Sequence, residues 1–204
     1  MAVLSALFAT VLLMGLGVSI VLLGTTEATL AAHDRIARTL REASLAVMHL
    51  AVVDLRAQPS WSVVLAEGIA PVSGAPGRAV DTSLTPPAPW GGPPLDLRQL
   101  TADVEAAANT GIGDAQAWRL YEYASLSQLA GVDAASPCYV AVWVADDPAD
   151  GDGDPAIDTN GILAIRALAL GPGNARSTTM VSIRKTRVPG GPDLVRVLTI
   201  RPLS

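Results

Sequence analysis

The first 24 residues carry no ionisable side chain and are mostly apolar, reading MAVLSALFATVLLMGLGVSIVLLG. A helical run of about 20 such residues, rising about 1.5 Å each, crosses the hydrocarbon core of a bilayer. The apolar part of a cleavable secretory signal is shorter, about 7–15 residues, and follows a basic segment. The pattern therefore predicts a transmembrane helix over residues 1–24 that the mature chain keeps, with cleavage before Ala32 as the alternative.

After Gly24 the pattern becomes amphipathic without a break. Residues 26–55 contain neither Pro nor Gly. Apolar residues recur there at helical steps of three and four, as a single stripe, at Ile36, Leu40, Ala43, Val47 and Leu50. Pro59 disfavours helical geometry in the residue before it. One helix is thus predicted from lipid to about residue 58, and its amphipathic half, residues 25–58, is expected to pack on a folded domain.

The middle of the chain, residues 59–94, reads as a Pro/Gly-rich loop. Seven of the fifteen prolines lie between Pro71 and Pro94. Such a density of proline removes the backbone donors that regular helices and sheets need. The segment is predicted to be an extended surface connection.

Residues 95–204 are predicted to form a globular domain with two short helices and a four-stranded antiparallel sheet. The helices are expected at residues 95–108 and 114–129, where apolar residues recur at helical spacing. Short runs rich in Val and Ile, separated by Gly, Pro and Asp, predict strands at Tyr139–Ala145, Ile162–Leu170, Thr178–Arg187 and Leu194–Arg201. The sheet needs a cover, which the amphipathic helix supplies. The fold class is therefore α+β, a long N-terminal helix packed on a small antiparallel sheet.

Charge and cysteine content bear on two kinds of interaction, binding of nucleic acid and formation of a disulfide. The net charge is −5, and the 14 basic residues, 13 of them Arg, are spread thinly along the chain. No continuous basic run for a phosphate backbone is present, so a direct nucleic-acid partner is not expected. The single cysteine, Cys138, forms no intrachain disulfide and is expected to be a small buried hydrophobe.

The sequence offers one candidate metal site, in an acidic stretch. Six of the 19 acidic residues lie within the thirteen positions from Asp146 to Asp158. The predicted Ca²⁺ ligands are Asp150, Asp152, Asp154 and Asn160, whose spacing turns several oxygens of one loop toward a hard cation. The loop is not an EF-hand, because Pro155 and Gly161 stand where that motif needs a glycine and a carboxylate. The alternative is a solvated acidic turn in which Asp and Gly serve backbone geometry.

No pattern typical of an enzyme is present. His33 and His49 lie sixteen residues apart on one rigid helix and do not reach a common metal. The nucleophile-elbow, phosphate-loop and zinc-protease patterns do not occur in the sequence. The chain is therefore not expected to be an enzyme, and no catalytic or cofactor-binding residue is assigned.

The chain resembles the type IV pilins and pseudopilins, and among them the PilX-type minor pilins. The resemblance is carried by the segment from Ala2 to Ala9, by Thr25-Thr26-Glu27, and by Val142–Asp147 leading to Asp158–Gly161. It is clearest over residues 1–55 and 139–201. Major pilins carry a glutamate at the position that Ser5 occupies here. The resemblance therefore implies a minor subunit rather than a major one.

The resemblance also explains an unexpected distribution of positive charge around the apolar segment. Arg35, Arg38 and Arg41 all follow the apolar segment, which by the positive-inside rule would place the bulk of the chain in the cytoplasm. Pilins are made with a short basic leader that is cut at the cytoplasmic face, which would leave Met1 as the first mature residue. The expected location is then the inner membrane as a single-pass protein, with the domain in the periplasm and, after assembly, on a surface pilus.

The function implied by the resemblance is that of a minor pilin or pilus assembly subunit of a type IV pilus or related envelope filament. Its expected partners are other pilins and minor pilins, through the N-terminal helix, and the inner-membrane assembly platform. Motility, DNA-uptake and secretion filaments stay open alternatives. A membrane-anchored periplasmic binding or sensor domain that does not polymerise is the alternative function.

Overall fold

The structure is a computed structural model that describes residues 2–66, 83–108, 117–128, 137–191 and 193–203. Its helices are α1 (Ala2–Ala57), α2 (Trp61–Ala66) and α3 (Leu97–Ala108). Its strands are β1 (Arg119–Ser125), β2 (Tyr139–Asp146), β3 (Ile162–Leu170), β4 (Arg176–Thr186) and β5 (Leu194–Leu203). The chain divides into two compact units, Met1–Arg38 and Thr39–Ser204.

In the first unit, helix α1 is exposed on every side. Each described side chain from Ala2 to Arg35 is exposed, including the long run of large apolar residues. The hydroxyl groups of this segment donate to carbonyls of the helix itself, as Thr10 does to Ala6 at 2.6 Å and Ser19 to Gly15 at 2.9 Å. Polar groups satisfied within the helix are what a lipid environment requires.

In the second unit, the remainder of α1 packs on the sheet. The buried side chains of the helix are Leu40, Ala43, Ser44, Val47, Met48, Ala51, Asp54 and Leu55. Ser44 and Thr179 of β4 share a hydrogen bond of 3.0 Å between their hydroxyl oxygens. The predicted amphipathic stripe is confirmed at Leu40, Ala43 and Val47, and its outer members Ile36 and Leu50 are half-buried.

The five strands form one antiparallel meander in the order β1-β2-β3-β4-β5. All four predicted strands are present within two residues of their expected ends. Strand β2 is buried on both faces, since all eight of its residues are buried, and the neighbouring β3 is buried at six of its nine residues. One face, here called the α1 face, carries Thr179 and lies under α1.

The opposite face, here called the α3 face, carries the second part of the core. Leu97 and Val104 of α3 belong to one buried cluster with Tyr139, Ala141 and Trp143 of β2. The indole nitrogen of Trp143 donates to the Thr101 hydroxyl at 2.8 Å. The predicted helix over residues 95–108 is confirmed, and Asp96 caps it by accepting from the amides of Arg98 and Gln99, both at 3.0 Å.

The predicted helix over residues 114–129 is wrong in its described part. Residues 119–125 form β1 instead, so the sheet has five strands rather than the predicted four. The second of the two predicted short helices does not form over these residues. A β-bulge between Leu120 and Glu122 places both Tyr121 and Glu122 on the α1 face. The bulge breaks the strict alternation of a strand, so the apolar spacing resembled that of a helix. The Tyr121 hydroxyl donates to the buried Asp54 carboxylate of α1.

The Pro/Gly-rich connection is described only in part, because residues 67–82 lie outside the described ranges. The predicted loop over residues 59–94 is wrong near its start, where Trp61–Ala66 form α2. These six residues contain no Pro or Gly, and their helix buries Trp61 and Leu65, which lie four residues apart on one side of it. From residue 83 to residue 94 the chain is in neither helix nor strand, as predicted. Two backbone hydrogen bonds hold its second half against the start of α3, from Leu95 to Pro86 at 2.9 Å and from Leu97 to Leu84 at 3.0 Å.

Candidate functional site

The acidic loop that joins β2 to β3, residues 147–161, is the candidate site. It begins after Asp146, the last residue of β2, whose exposure is only 6%. The aspartates at 147, 150 and 158 are partly exposed and those at 152 and 154 are exposed. The loop therefore places one buried carboxylate beside several solvated ones.

Three of these carboxylates converge. Asp146, Asp150 and Asp152 each direct an oxygen into a group whose ligand atoms all lie within 4.8 Å of one another. Ca²⁺ takes six to eight oxygen ligands at about 2.3–2.6 Å, so three carboxylate oxygens at this separation form part of such a shell. We call Asp146, Asp150 and Asp152 the carboxylate trio.

The trio overlaps the predicted ligand set only at Asp150 and Asp152. Asp154 accepts a hydrogen bond from the Ala156 amide at 3.0 Å and is not in the trio. The Asn160 side chain donates to Asp147 at 3.1 Å and accepts from the Ile162 amide at 2.7 Å. Sequence reasoning missed Asp146 as a candidate ligand, because its place at the end of a strand hides that its side chain points toward the loop. Calcium binding stays a prediction.

Side-chain-to-backbone hydrogen bonds hold the loop in shape. The Asp150 carboxylate accepts from the amides of Thr159 and Asn160 at 2.8 and 3.1 Å, which ties the two ends of the loop together. Asp158 accepts from the Gly161 amide at 2.7 Å, and its own amide donates to the Ser62 hydroxyl of α2 at 3.1 Å. Asp and Asn thus serve backbone geometry here, as the turn alternative expected.

The pKa values of three carboxyls in this region, those of Asp146, Asp158 and Asp150, shift in different directions. Burial, reinforced by the charges of Asp150, Asp158 and Asp152, raises the pKa of Asp146 to about 6. Burial also raises the pKa of Asp158. Hydrogen bonds from Thr159, first through its side chain, lower the pKa of Asp150. Asp146 therefore changes charge at a pH where Asp150 is already ionised.

Lys185 of β4 lies beside the end of this loop and forms an ion pair. Its ammonium donates to the Gln58 carbonyl at 2.6 Å, lies 3.3 Å from an Asp193 carboxylate oxygen, and sits 5.9 Å from the centroid of the Trp61 ring. Its amide donates to the Gly161 carbonyl at 2.8 Å. One residue therefore connects the end of α1, the start of β5 and the exit of the acidic loop.

The remaining candidates of the sequence lie as follows. Cys138 is buried, as predicted, and His33 and His49 are exposed on α1. Trp61, Trp118 and Trp143 are buried, and Trp90 is half-buried in the Pro/Gly-rich segment. The tryptophans are mainly core anchors.

Helix α1 has the length and composition needed to cross a membrane. The candidate span is its N-terminal part, none of which is buried within the structure. An N-terminal signal sequence can also be long and apolar enough to meet this criterion, so the observation agrees with a retained transmembrane helix and with the cleavage alternative.

No family model matches this chain, and neither a curated protein nor a solved structure matches it significantly.

Proposed function

We propose that this chain is a minor subunit of a type IV pilus or related envelope filament, held in the inner membrane by α1 before assembly, with its sheet domain in the periplasm. The observation that carries the proposal is that the two parts of α1 differ in how much of their surface is buried. Its second part buries one face on the sheet, while residues 2–35 leave every described side chain, large apolar ones included, without cover. An apolar helix surface of this length needs lipid or other helices around it.

The proposed action is an exchange of neighbours along α1. In the membrane the apolar surface contacts lipid, and in a filament it contacts the same helix of other subunits. Because lipid tails are about as apolar as leucine, the exchange costs little and is reversible. Gly15 and Gly17 suit close approach of a second helix, since no atom lies within 4 Å of where a Cβ would stand at either position. The action requires no catalytic group, so the proposed role is not enzymatic.

The sequence resemblance supports a minor role within the filament. Ser5 takes the place of the glutamate that major pilins carry at this position of the helix. A subunit without that carboxylate fits an end or an initiating tip complex better than the repeating body of a filament. The second candidate function, a membrane-anchored periplasmic binding or sensor domain, uses the same α1 as an anchor only and leaves it in lipid.

Co-sedimentation separates these two functions. Filaments are sheared from cells that make the native protein, collected by centrifugation and analysed by mass spectrometry for this chain and its N-terminus. The filament proposal expects the chain in the pellet, beginning at Met1. Recovery of the chain only in the cell membrane would overturn the filament proposal and leave the anchored domain.

A variant of α1 sharpens the test. Gly15→Leu/Gly17→Leu fills the open surface, and we expect it to remain in the membrane but to be depleted severalfold from filaments. Leu16→Ile lies between the two glycines, conserves volume and serves as the matched control. Equal incorporation of the double variant and the control would contradict close helix packing at this surface.

A further inference from the structure

The α3 face of the last three strands carries an unusual set of residues. Antiparallel register aligns Arg166 of β3 with Met180 of β4, and Met180 with Arg201 of β5. Arg184 of β4 lies directly opposite Arg196 of β5. Since alternate residues of a strand share a face, one sheet face gathers the side chains of Arg166, Arg176, Arg184, Arg196 and Arg201. We call these five residues the arginine face.

The strands that carry the arginine face contribute no acid to it. None of the residues of β3, β4 and β5 is Asp or Glu. The ion pair between Lys185 and Asp193 involves none of the five arginines. Arg184 and Arg196 are moreover like charges in direct cross-strand opposition, an arrangement that costs stability. The cost is offset when an anion lies across the pair.

The arginine face is also accessible. Arg176, Arg184, Arg196 and Arg201 are exposed, and Arg166 is half-buried beside the core cluster under α3. Burial lowers the pKa of Arg166, but the guanidinium group stays charged at neutral pH. The face therefore carries five positive charges on a chain whose net charge is −5.

The dimensions of the arginine face suit a long polyanion. Arg196 and Arg201 face partners four residues apart on β4, about 13 Å at about 3.3 Å per residue. Arg176 and Arg184 span about 26 Å of the same strand, and Arg166 lies two strands, about 10 Å, from Arg201. Hydroxyl groups of Thr178, Ser182 and Thr199 stand on the same face between the guanidinium groups. Phosphate oxygens are the usual acceptors for Arg forks and for Ser and Thr hydroxyls in nucleic-acid complexes.

We propose that the arginine face binds the phosphate backbone of double-stranded nucleic acid without reading its sequence. A duplex presents about one negative charge per 1.7 Å of its axis, so it supplies a phosphate near every arginine of the face. Single-stranded nucleic acid fits less well, because the stacking platforms that bind it need aromatic side chains and β3, β4 and β5 contain none. Successive arginines of the face are 10, 8, 12 and 5 residues apart along the chain. The sequence therefore shows no continuous basic run and predicts no nucleic-acid partner, whereas strand pairing brings the five arginines onto one face. This inference concerns the sheet domain and does not depend on the filament proposal.

Binding is tested on the full chain in discs of neutral phosphatidylcholine, with a fluorescent duplex of about 20 base pairs and anisotropy as the readout. We expect micromolar affinity at about 50 mM salt and a log–log salt slope of about −2.7 to −4.5, for about three to five neutralised phosphates. Arg184→Glu/Arg196→Glu should weaken binding at least tenfold and reduce the slope by about 2. Arg41→Glu/Arg56→Glu makes the same charge change at exposed positions of α1 and should leave most of the affinity.

Three outcomes would overturn the proposal. The first is an equal loss of affinity in the two double variants, which would indicate attraction by overall charge. The second is displacement of the duplex by polyglutamate at an equal concentration of negative charge, which would assign the face to an acidic protein surface. The third is binding to vesicles of anionic lipid but not to the duplex. Arg184→Lys/Arg196→Lys keeps the charge and the fold, and an affinity at least threefold below wild type supports phosphate contact through the guanidinium forks.

Discussion

Asp146 illustrates how the position of a single carboxyl sets its chemistry. Its side chain is 6% exposed at the end of β2, and the negative charges that follow it in the loop oppose its ionisation. The folded chain therefore holds the Asp146 proton more tightly than the unfolded chain does. Protonation of this carboxyl stabilises the fold.

The sign of the pH dependence follows from the raised pKa. Stabilisation by the Asp146 proton is fully present below pH about 4 and is lost as the pH rises through about 6, the pKa in the folded chain. We expect Asp146→Asn to be more stable than wild type above pH 6, by about 1–2 kcal/mol, since one pKa unit corresponds to about 1.4 kcal/mol and nearby water lessens the effect. Urea unfolding between pH 4 and 8 measures the difference. Asp154→Asn removes an exposed charge of the same loop and should show a smaller, flatter change; equal profiles for the two variants would refute the assignment to Asp146.

The carboxylate trio yields a second prediction at this scale. If the trio is the predicted calcium site, millimolar Ca²⁺ raises the melting temperature of the wild type, since an ion that binds only the folded chain stabilises it. Asp150→Asn/Asp152→Asn should abolish that rise. The matched pair Asp154→Asn and Asn160→Ala tests the two predicted ligands outside the trio, and we expect both variants to keep most of the rise. A wild-type melting temperature unchanged by Ca²⁺ would leave only the turn-forming role of these residues.

At the scale of the elements, the exit of the acidic loop depends on close backbone contact. Gly161 has a φ of +69°, and a Cβ there would stand 2.7 Å from the Lys185 carbonyl oxygen of β4. The backbone of Gly161 also accepts the Lys185 amide hydrogen. Only a residue without a Cβ combines this conformation with this approach.

We expect Gly161→Ala to lower the free energy of unfolding by about 2 kcal/mol or more, because the new methyl group strains the backbone and pushes β4 away. Gly151→Ala is the control, in the same loop, with open space around its Cβ position and an ordinary φ. Its change should stay within about 0.5 kcal/mol. Chemical denaturation measures both, and similar values for the two variants would show that the contact with Lys185 does not matter.

The elements also differ in how well their sequences predict them. Strands β2 to β5 are recognisable because each is a short run that contains Val or Ile and is separated from the next run by turn residues such as Gly, Pro and Asp. Strand β1 is not, because its bulge sends Tyr121 and Glu122 to the same face and fully buries a glutamate. Local spacing carries no signal for a bulge, which arises only when a strand pairs with its neighbour.

At the scale of the whole molecule, the two compact units make different demands on their surroundings. The sheet unit buries an apolar core of its own, although single apolar residues such as Leu45 and Ile200 stay exposed on it. The first unit has no buried residue in its described part, and it exposes Val11, Leu12, Leu16 and the other large apolar residues around them. The first unit is therefore the part of the chain whose stability depends on a lipid or protein environment.

Membrane retention tests that dependence. We expect the wild-type chain to stay in the membrane pellet after alkaline carbonate extraction. Leu12→Lys/Leu16→Lys should release much of it, since each charge near the centre of a span costs about 2.5–3.5 kcal/mol of insertion. Leu45→Lys changes an exposed leucine of the sheet unit and should not alter retention. A wild-type chain recovered in the carbonate supernatant would contradict anchoring by α1.

Local sequence pattern was sufficient for α1, for its amphipathic stripe and for four of the five strands. Hydrophobic periodicity and turn residues act over a few neighbours, so these elements can be read without knowing what they pack against. Strand β1, the convergence of Asp146 with Asp150 and Asp152, and the arginine face required the folded chain. Each of these joins residues through strand pairing and register, and pairing between distant segments leaves no trace in the spacing of either one.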